Sequence, residues 1–196
     1  MKIKTSYRIT LLGLVALAVL ANYSQPLEAK KKKQPIYEIS GVARHGGKAT
    51  SIQVRLYKWT TDEERETAKK VLSEGGNTGL YDHWHGLDAI GRLRIPNHME
   101  AELKYAYRTE SEGKVHIVLG SDRPIGFGEA YGSTRSGRYV LTLIKFEVDA
   151  ETGKKGEGRI MAGARFMYDE ETGRMKPEAY VGQPILVGSV SVKEPK

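Results

Sequence analysis

The chain has 196 residues, 39% of them hydrophobic and 28% charged, with no cysteine. That length allows one domain plus an appendage, and the missing cysteine excludes disulfides, thiolate nucleophiles, cysteine-ligated metals and a lipid-modified cysteine. The formal charge of +7 belongs to the N-terminus: Lys2, Lys4, Arg8 and Lys30 to Lys33 account for seven of the 31 basic residues, and setting them and Glu28 aside leaves 24 basic against 23 acidic, a balance of +1. A nucleic-acid partner is therefore not expected.

Lys2, Lys4 and Arg8 precede an apolar run from Ile9 to Ala21. The run is shorter than the about 20 residues that span a bilayer, and Val19-Leu20-Ala21 offers small residues for cleavage. This predicts a signal peptide over residues 1–21, with cleavage as late as residue 29, and export to the periplasm or beyond. Residues 22–34 are expected to form a basic flexible linker. Lys30, Lys31, Lys32 and Lys33 are read as solvated, with weak contact to an anionic membrane surface as the sharper alternative.

Residues 35–196 read as a single β-rich domain. "PIYEISGVA" is the first expected strand, and "TSIQVRLYKW" the second, with Ile52, Val54 and Leu56 on one face. "MEAELKYAYRT" alternates Met99, Ala101, Leu103, Tyr105 and Tyr107 against Glu100, Glu102, Lys104 and Arg108. "KVHIVLG", "PIGFGEAYG", "RYVLTLIKFEVD" and "PILVGSVSV" add further strands, the third of them apolar enough on both faces to be covered on both. "GEGRIMAGARFMYD" sets Ile160, Ala162, Ala164, Phe166 and Tyr168 on one face. Glu-Thr-Gly units at 151–153 and 171–173 read as tight turns.

One segment breaks the alternation. Thr61 with Glu64 three residues on has capping-box spacing, Ala68, Val71 and Leu72 form a stripe, and Gly75-Gly76 ends it. Leu80, Trp84 and Leu87 then recur at helical spacing. The pattern predicts a helical hairpin over 61–88, inserted between the second and third strands. Within it, "DHWH" invites a metal reading. Residues two apart on a helix point about 200° apart, so His83 and His85 would not close on one ion. No metal and no cofactor are expected. His83 and His85 stay as fallback ligands if the segment is a loop, with His45, His98 or His116 as distant partners.

"GSDRPIGFGEAYG" carries Gly126-x-Gly128, but no phosphate-loop motif and no strand-to-helix context. Its expected reading is a turn leading into a strand, with Arg123 paired to Asp122 or Glu129. No G-x-S-x-G elbow occurs, and no catalytic residues can be assigned. At Asp122 to Glu129, D-R-P-I-G-F-x-E, and again at "YVGQPILVGSV", the chain resembles a family of small exported bacterial proteins of unknown function. The resemblance implies a signal peptide, two strands, a short helical insert and a further run of strands. It implies no activity and no functional residues.

The expected fold is mainly β: an antiparallel barrel, or a sandwich, of about eight strands with the helical hairpin between strands two and three. The helical hairpin would cap one barrel end, with Trp84 facing inward. The expected function is an exported, non-enzymatic binding module for a small apolar or amphipathic ligand, with Trp84, Tyr105 and Phe166 as contacts. The alternatives are an exported metal-dependent or hydrolytic enzyme with scattered residues, and a structural cell-envelope protein.

Overall fold

The computed structural model describes residues 33–97, 100–125, 141–169, 174–180 and 182–194. The leader, the expected strand over 124–132 beyond Ile125, and the turn at 170–173 lie outside the described residues. In chain order the elements begin with β1 (Tyr37–His45), β2 (Lys48–Leu56), the helix α1 (Asp62–His85), β3 (Gly91–Arg94) and β4 (Ala101–Leu103). Then come β5 (Tyr105–Ser111), β6 (Lys114–Ser121), β7 (Leu141–Asp149), β8 (Gly156–Asp169), β9 (Arg174–Tyr180) and β10 (Ile185–Lys193).

All described pairings are antiparallel, in the spatial order β4-β3-β2-β1-β10-β8-β7-β6-β5. The two ends of that order, β4 and β5, are one stretch of chain interrupted at Lys104. β4 pairs with β3, whereas β5 pairs with β6. The Lys104 amide donates to the Gly120 carbonyl at 2.8 Å, and the Ile90 amide donates to the Leu103 carbonyl at 2.9 Å. One bent segment thus serves both ends of the sheet, which curls into a nearly closed, barrel-shaped structure. Closure by a shared strand leaves few free edges. β9 pairs with the far half of β8; because Ala164 faces both Leu141 of β7 and Tyr180 of β9, β9 lies on the same edge of β8 as β10.

The sheet buries residues on both faces. Inside, Ile39, Val54, Leu56, Leu93, Leu103, Ala106, Ile117, Leu119, Ile144, Phe146, Ile160 and Val187 belong to one cluster. Outside, Tyr105, Val118, Leu141, Leu143, Met161, Ala164, Phe166 and Met175 form a second cluster with Ala68, Leu72, Leu80 and Trp84 of α1. β6, β7 and β8 contribute alternate residues to the two clusters, so β7 is covered on both faces as its sequence implies.

Two rows read as continuous in the sequence change sides. Ala101 and Leu103 face inward, but after the break at Lys104 it is Ala106 that joins the interior, and Tyr105 and Tyr107 face α1. In β8, Ile160 faces inward, whereas Ala164, Phe166 and Tyr168 face α1. The switch coincides with a register shift: Leu141 pairs with Ala164 but Thr142 with Ala162, leaving Gly163 as the extra residue, at φ 59°. A bulge of this kind flips every later side chain.

α1 starts as its sequence predicts. The Glu64 amide donates to Thr61 Oγ1 at 3.2 Å, and the Thr61 amide donates to Glu64 Oε2 at 2.9 Å. The helix breaks at Gly76, φ 60° and ψ −156°, a conformation only glycine adopts without strain. A straight helix would set residues eight apart at about 12 Å. Here Val71 Cγ1 lies 3.5 Å from where a Cβ on Gly79 would stand, so the two halves fold back as a hairpin. Beside the bend, the Asn77 amide bonds both ways to Phe166. Asn77 Nδ2 donates to the Phe166 carbonyl at 3.1 Å, and the Phe166 amide donates to Asn77 Oδ1 at 2.6 Å. Leu87, expected to continue the apolar stripe, lies beyond the helix end and is 39% exposed.

The hairpin therefore does not cap a barrel end with Trp84 facing inward; it lies on the outer wall. Trp84 packs against Gly120 of β6, where an added Cβ would stand 2.3 Å from Trp84 Cη2 and 3.1 Å from Tyr105 Cβ. Aromatic contact of this kind outweighs the exposed Lys70–Glu74 pair on the same helix, since exposed pairs contribute about 0–1 kcal/mol. Gly120→Ala is expected to destabilise the protein by about 1–3 kcal/mol through overpacking, read as a lower urea midpoint with unchanged slope.

Candidate functional site

The segment "YDHWHGLD", residues 81–88, ends α1 and organises the candidate site. Trp84 points at the sheet, stacked on Tyr105 at 5.8 Å between centroids and edge-on to Phe166 at 5.6 Å. The three residues singled out in the sequence thus meet, although Tyr105 and Phe166 are 61 positions apart. They meet on the outer wall and not in the barrel interior. Each is at most 4% exposed, packed within the outer apolar cluster. Burial pushes the Tyr105 phenol up from its ordinary pKa. The cluster extends toward the helix start through cations on rings: Arg65 sits 3.6 Å over Tyr107, and Lys69 sits 4.4 Å over Tyr168.

His83 and His85 flank Trp84 and diverge as helical geometry requires, each lining a different cavity. His83 joins Lys58, Thr60, Trp84, Lys104 and Tyr105 around a cavity of about 200 Å³. His85 joins Tyr81, Arg92, Glu102, Asp122 and Arg123 around a cleft of about 460 Å³. Among the described residues, no three His, Asp or Glu side chains are placed to hold a metal ion.

Lys104 dominates the smaller cavity. Its side chain is only 6% exposed, and Nζ donates to the Leu87 carbonyl at 2.7 Å and to Glu102 Oε2 at 3.0 Å. An ammonium this deep is tolerated because both contacts compensate its lost hydration. The hydrogen bond from Lys104 holds the Glu102 carboxyl below its ordinary pKa. At the rim, Lys58 Nζ donates to Glu64 Oε1 at 2.8 Å. That bond is the leading cause of the lowered Glu64 pKa.

In the larger cleft, His85 Nδ1 lies 3.1 Å from Asp122 Oδ2, with the carboxylate nearly covered and the ring well exposed. Tyr81 stacks on the same ring at 5.4 Å. Asp122 fixes one ring nitrogen, so the other is free to accept or donate toward solvent. Arg123 is not paired with Asp122 as the sequence suggested; its Nη2 donates to the Glu100 carbonyl at 2.6 Å, and Glu129 lies outside the described residues. Glu100 is held by two arginines: Arg55 Nη2 donates to its Oε1 at 2.7 Å and Arg92 Nη1 to its Oε2 at 3.4 Å. Ser121, next to Asp122, is fully buried and presents no hydroxyl to the cleft.

Sequence reasoning missed the His85–Asp122 contact and the role of Lys104. The two stretches that drew attention were "DHWH" and "DRPIGF", and nothing in either names the other. Lys104 sat on the polar face of an alternating strand, and only the break in that strand buries it.

No family model, curated protein or solved structure matches the chain.

The Glu102–Lys104 bond sets a pH dependence. A carboxyl whose folded pKa is depressed contributes stability above its unfolded pKa, about 4.3, and loses it as pH falls through the folded value. Glu102 is 43% exposed, so solvent screening limits the effect to about 0.5–1 kcal/mol. Glu102→Gln should be less stable than wild type by that amount in urea at pH 7. The difference should shrink toward zero at pH 3.

Proposed function

We propose that this chain is an exported, non-enzymatic binding module for a small amphipathic molecule, held in the cavity beside Lys104. The observation that carries the reading is the lining of that cavity. Trp84 and Tyr105 offer apolar ring surface, and the Lys104 ammonium offers a buried positive charge. Ligand pockets combine apolar walls with placed polar groups, and here Lys58, Glu64, His83 and Asp88 complete a largely polar rim. Phe166 acts behind the wall, holding the indole edge-on. At about 200 Å³ the cavity is below the about 300–1,000 Å³ that drug-sized ligands occupy, which favours a single-ring carboxylate or a ligand of similar size. Export rests on the basic start and short apolar run of the leader. It implies a mature N-terminus between residues 22 and 30, readable by N-terminal sequencing.

One observation favours the hydrolytic alternative: the His85–Asp122 pair has the orientation of a general base held by a carboxylate. The binding reading is preferred because, among the described residues, no serine or threonine hydroxyl lines that cleft.

3-Phenylpropionate tests the proposal. In a Trp59→Phe background the emission of Trp84 reports on the cavity alone. The expected result is a saturable change with Kd of about 0.1–1 mM, the range for so small a ligand. The neutral 3-phenylpropanol should bind at least about tenfold more weakly, because it cannot pair with the ammonium. No saturable change in folded protein, or equal affinity for the two probes, would sink the reading.

A further inference from the structure

The outer wall carries a third concavity. It is a groove of about 620 Å³ lined by residues of β1, β6, β7, β8, β9 and β10, among them Arg44, Val118, Lys145, Arg159, Met175 and Leu186. Its volume falls within the range of ligand pockets.

The strand register puts its charges in one row. Arg44 pairs with Leu186, Leu186 with Arg159, Arg159 with Lys145, and Lys145 with Val118. Directly paired residues share a face, so three cations and two apolar side chains line up across five strands. Arg159 and Lys145 stand directly opposite each other. Two carboxylates share the groove with them. Glu147, in the neighbouring row, is engaged by Lys114 and by His116 at 3.5 Å. Glu157 lies opposite Glu147 at the groove end. Among the described residues, neither Arg44 nor Arg159 forms an ion pair with a carboxylate. The domain from Gln34 onward is close to neutral, so this cationic row is a local concentration and not a sample of an overall basic surface.

Beside the cations the groove is apolar. Leu186, between Arg44 and Arg159, is 55% exposed, more than any other exposed large hydrophobic residue among those described. Met175 and Val118, both in the outer apolar cluster, continue the lining. Gly188 leaves the floor open: only Arg44 Nη1, at 3.8 Å, would come near a Cβ there.

We infer that this groove binds a free single-chain amphiphile with an anionic headgroup. The headgroup sits on Arg44 and Arg159, and the chain lies against the exposed Leu186 between them. Two guanidiniums match a phosphate or carboxylate in charge and in hydrogen-bond geometry. The site is independent of the cavity beside Lys104 and stands if that reading fails.

Dodecyl phosphate, kept below its micelle concentration, is the probe, followed by calorimetry with the mature protein. Saturable one-to-one binding is expected, at least tenfold tighter than to decyl maltoside. The double variant Arg44→Gln/Arg159→Gln should lose at least tenfold in affinity. Gly188→Leu should fill the groove and abolish binding while keeping the thermal midpoint, because a side chain has room there. Phenylpropionate binding should be unchanged in both variants. The inference is overturned if the neutral amphiphile binds as tightly, or if Gly188→Leu retains binding. It is equally overturned if the protein binds anionic phospholipid vesicles but not the monomeric amphiphile, since that would make the row a membrane-contact surface.

Discussion

The fold depends on one break in one strand. Residues 101–111 would, if straight, pair with a single neighbour on each side along their whole length. The interruption at Lys104 lets the first part pair with β3 and the rest with β6, so both ends of the sheet are consumed by the same chain. The break costs a position in the ladder and buries a charge. Both costs are offset locally: the Lys104 amide still reaches Gly120, and its ammonium reaches Leu87 and Glu102. The Leu87 contact ties the end of α1 to the point of closure. A buried ammonium thus links the helix end to the closure of the barrel.

The outer wall follows from the same break. Because the strand changes face at Lys104, Tyr105 and Tyr107 point outward, where a barrel normally carries polar residues. The bulge at Gly163 does the same for Ala164, Phe166 and Tyr168. Together they make an apolar patch that must be covered, and α1 covers it, with Trp84 over the space left by Gly120. Asn77 then satisfies both backbone groups of Phe166, close to a register shift between β8 and β9. A helix laid on a wall, and not across an open end, leaves the interior to packed apolar side chains. Of the concavities described, two lie beside the helix end and one beside the cationic row.

Much of this was legible in the sequence, and the reasons differ by element. Strict alternation located β2, β5 and β8, and Thr61 with Glu64 located the start of α1, because both are local rules that tertiary packing rarely overrides. The divergence of His83 and His85 followed from helical pitch alone. Trp84, Tyr105 and Phe166 were grouped in the sequence as contacts for a ligand in the barrel interior, and they meet on the outer wall. They were assigned to the interior because period-two reading assumes an unbroken strand, and neither Lys104 nor Gly163 announces a change of face. β3 escaped notice because four residues, "GRLR", carry too little pattern, and β9 because Pro177 argues against a strand that proves to lie on one edge of β8. The His85–Asp122 contact and the cationic row are products of topology: each joins residues from segments that no local rule relates.

The central claim is that residues 101–111 close the barrel through the amides on either side of the break. Native-state hydrogen exchange at the Lys104 and Ile90 amides tests it most directly. Closure predicts slow exchange at both, comparable with the amides of β6 and β7, since opening either bond requires opening the barrel. Fast exchange at these two positions, with β6 and β7 still protected, would show an open-edged sheet and contradict the account.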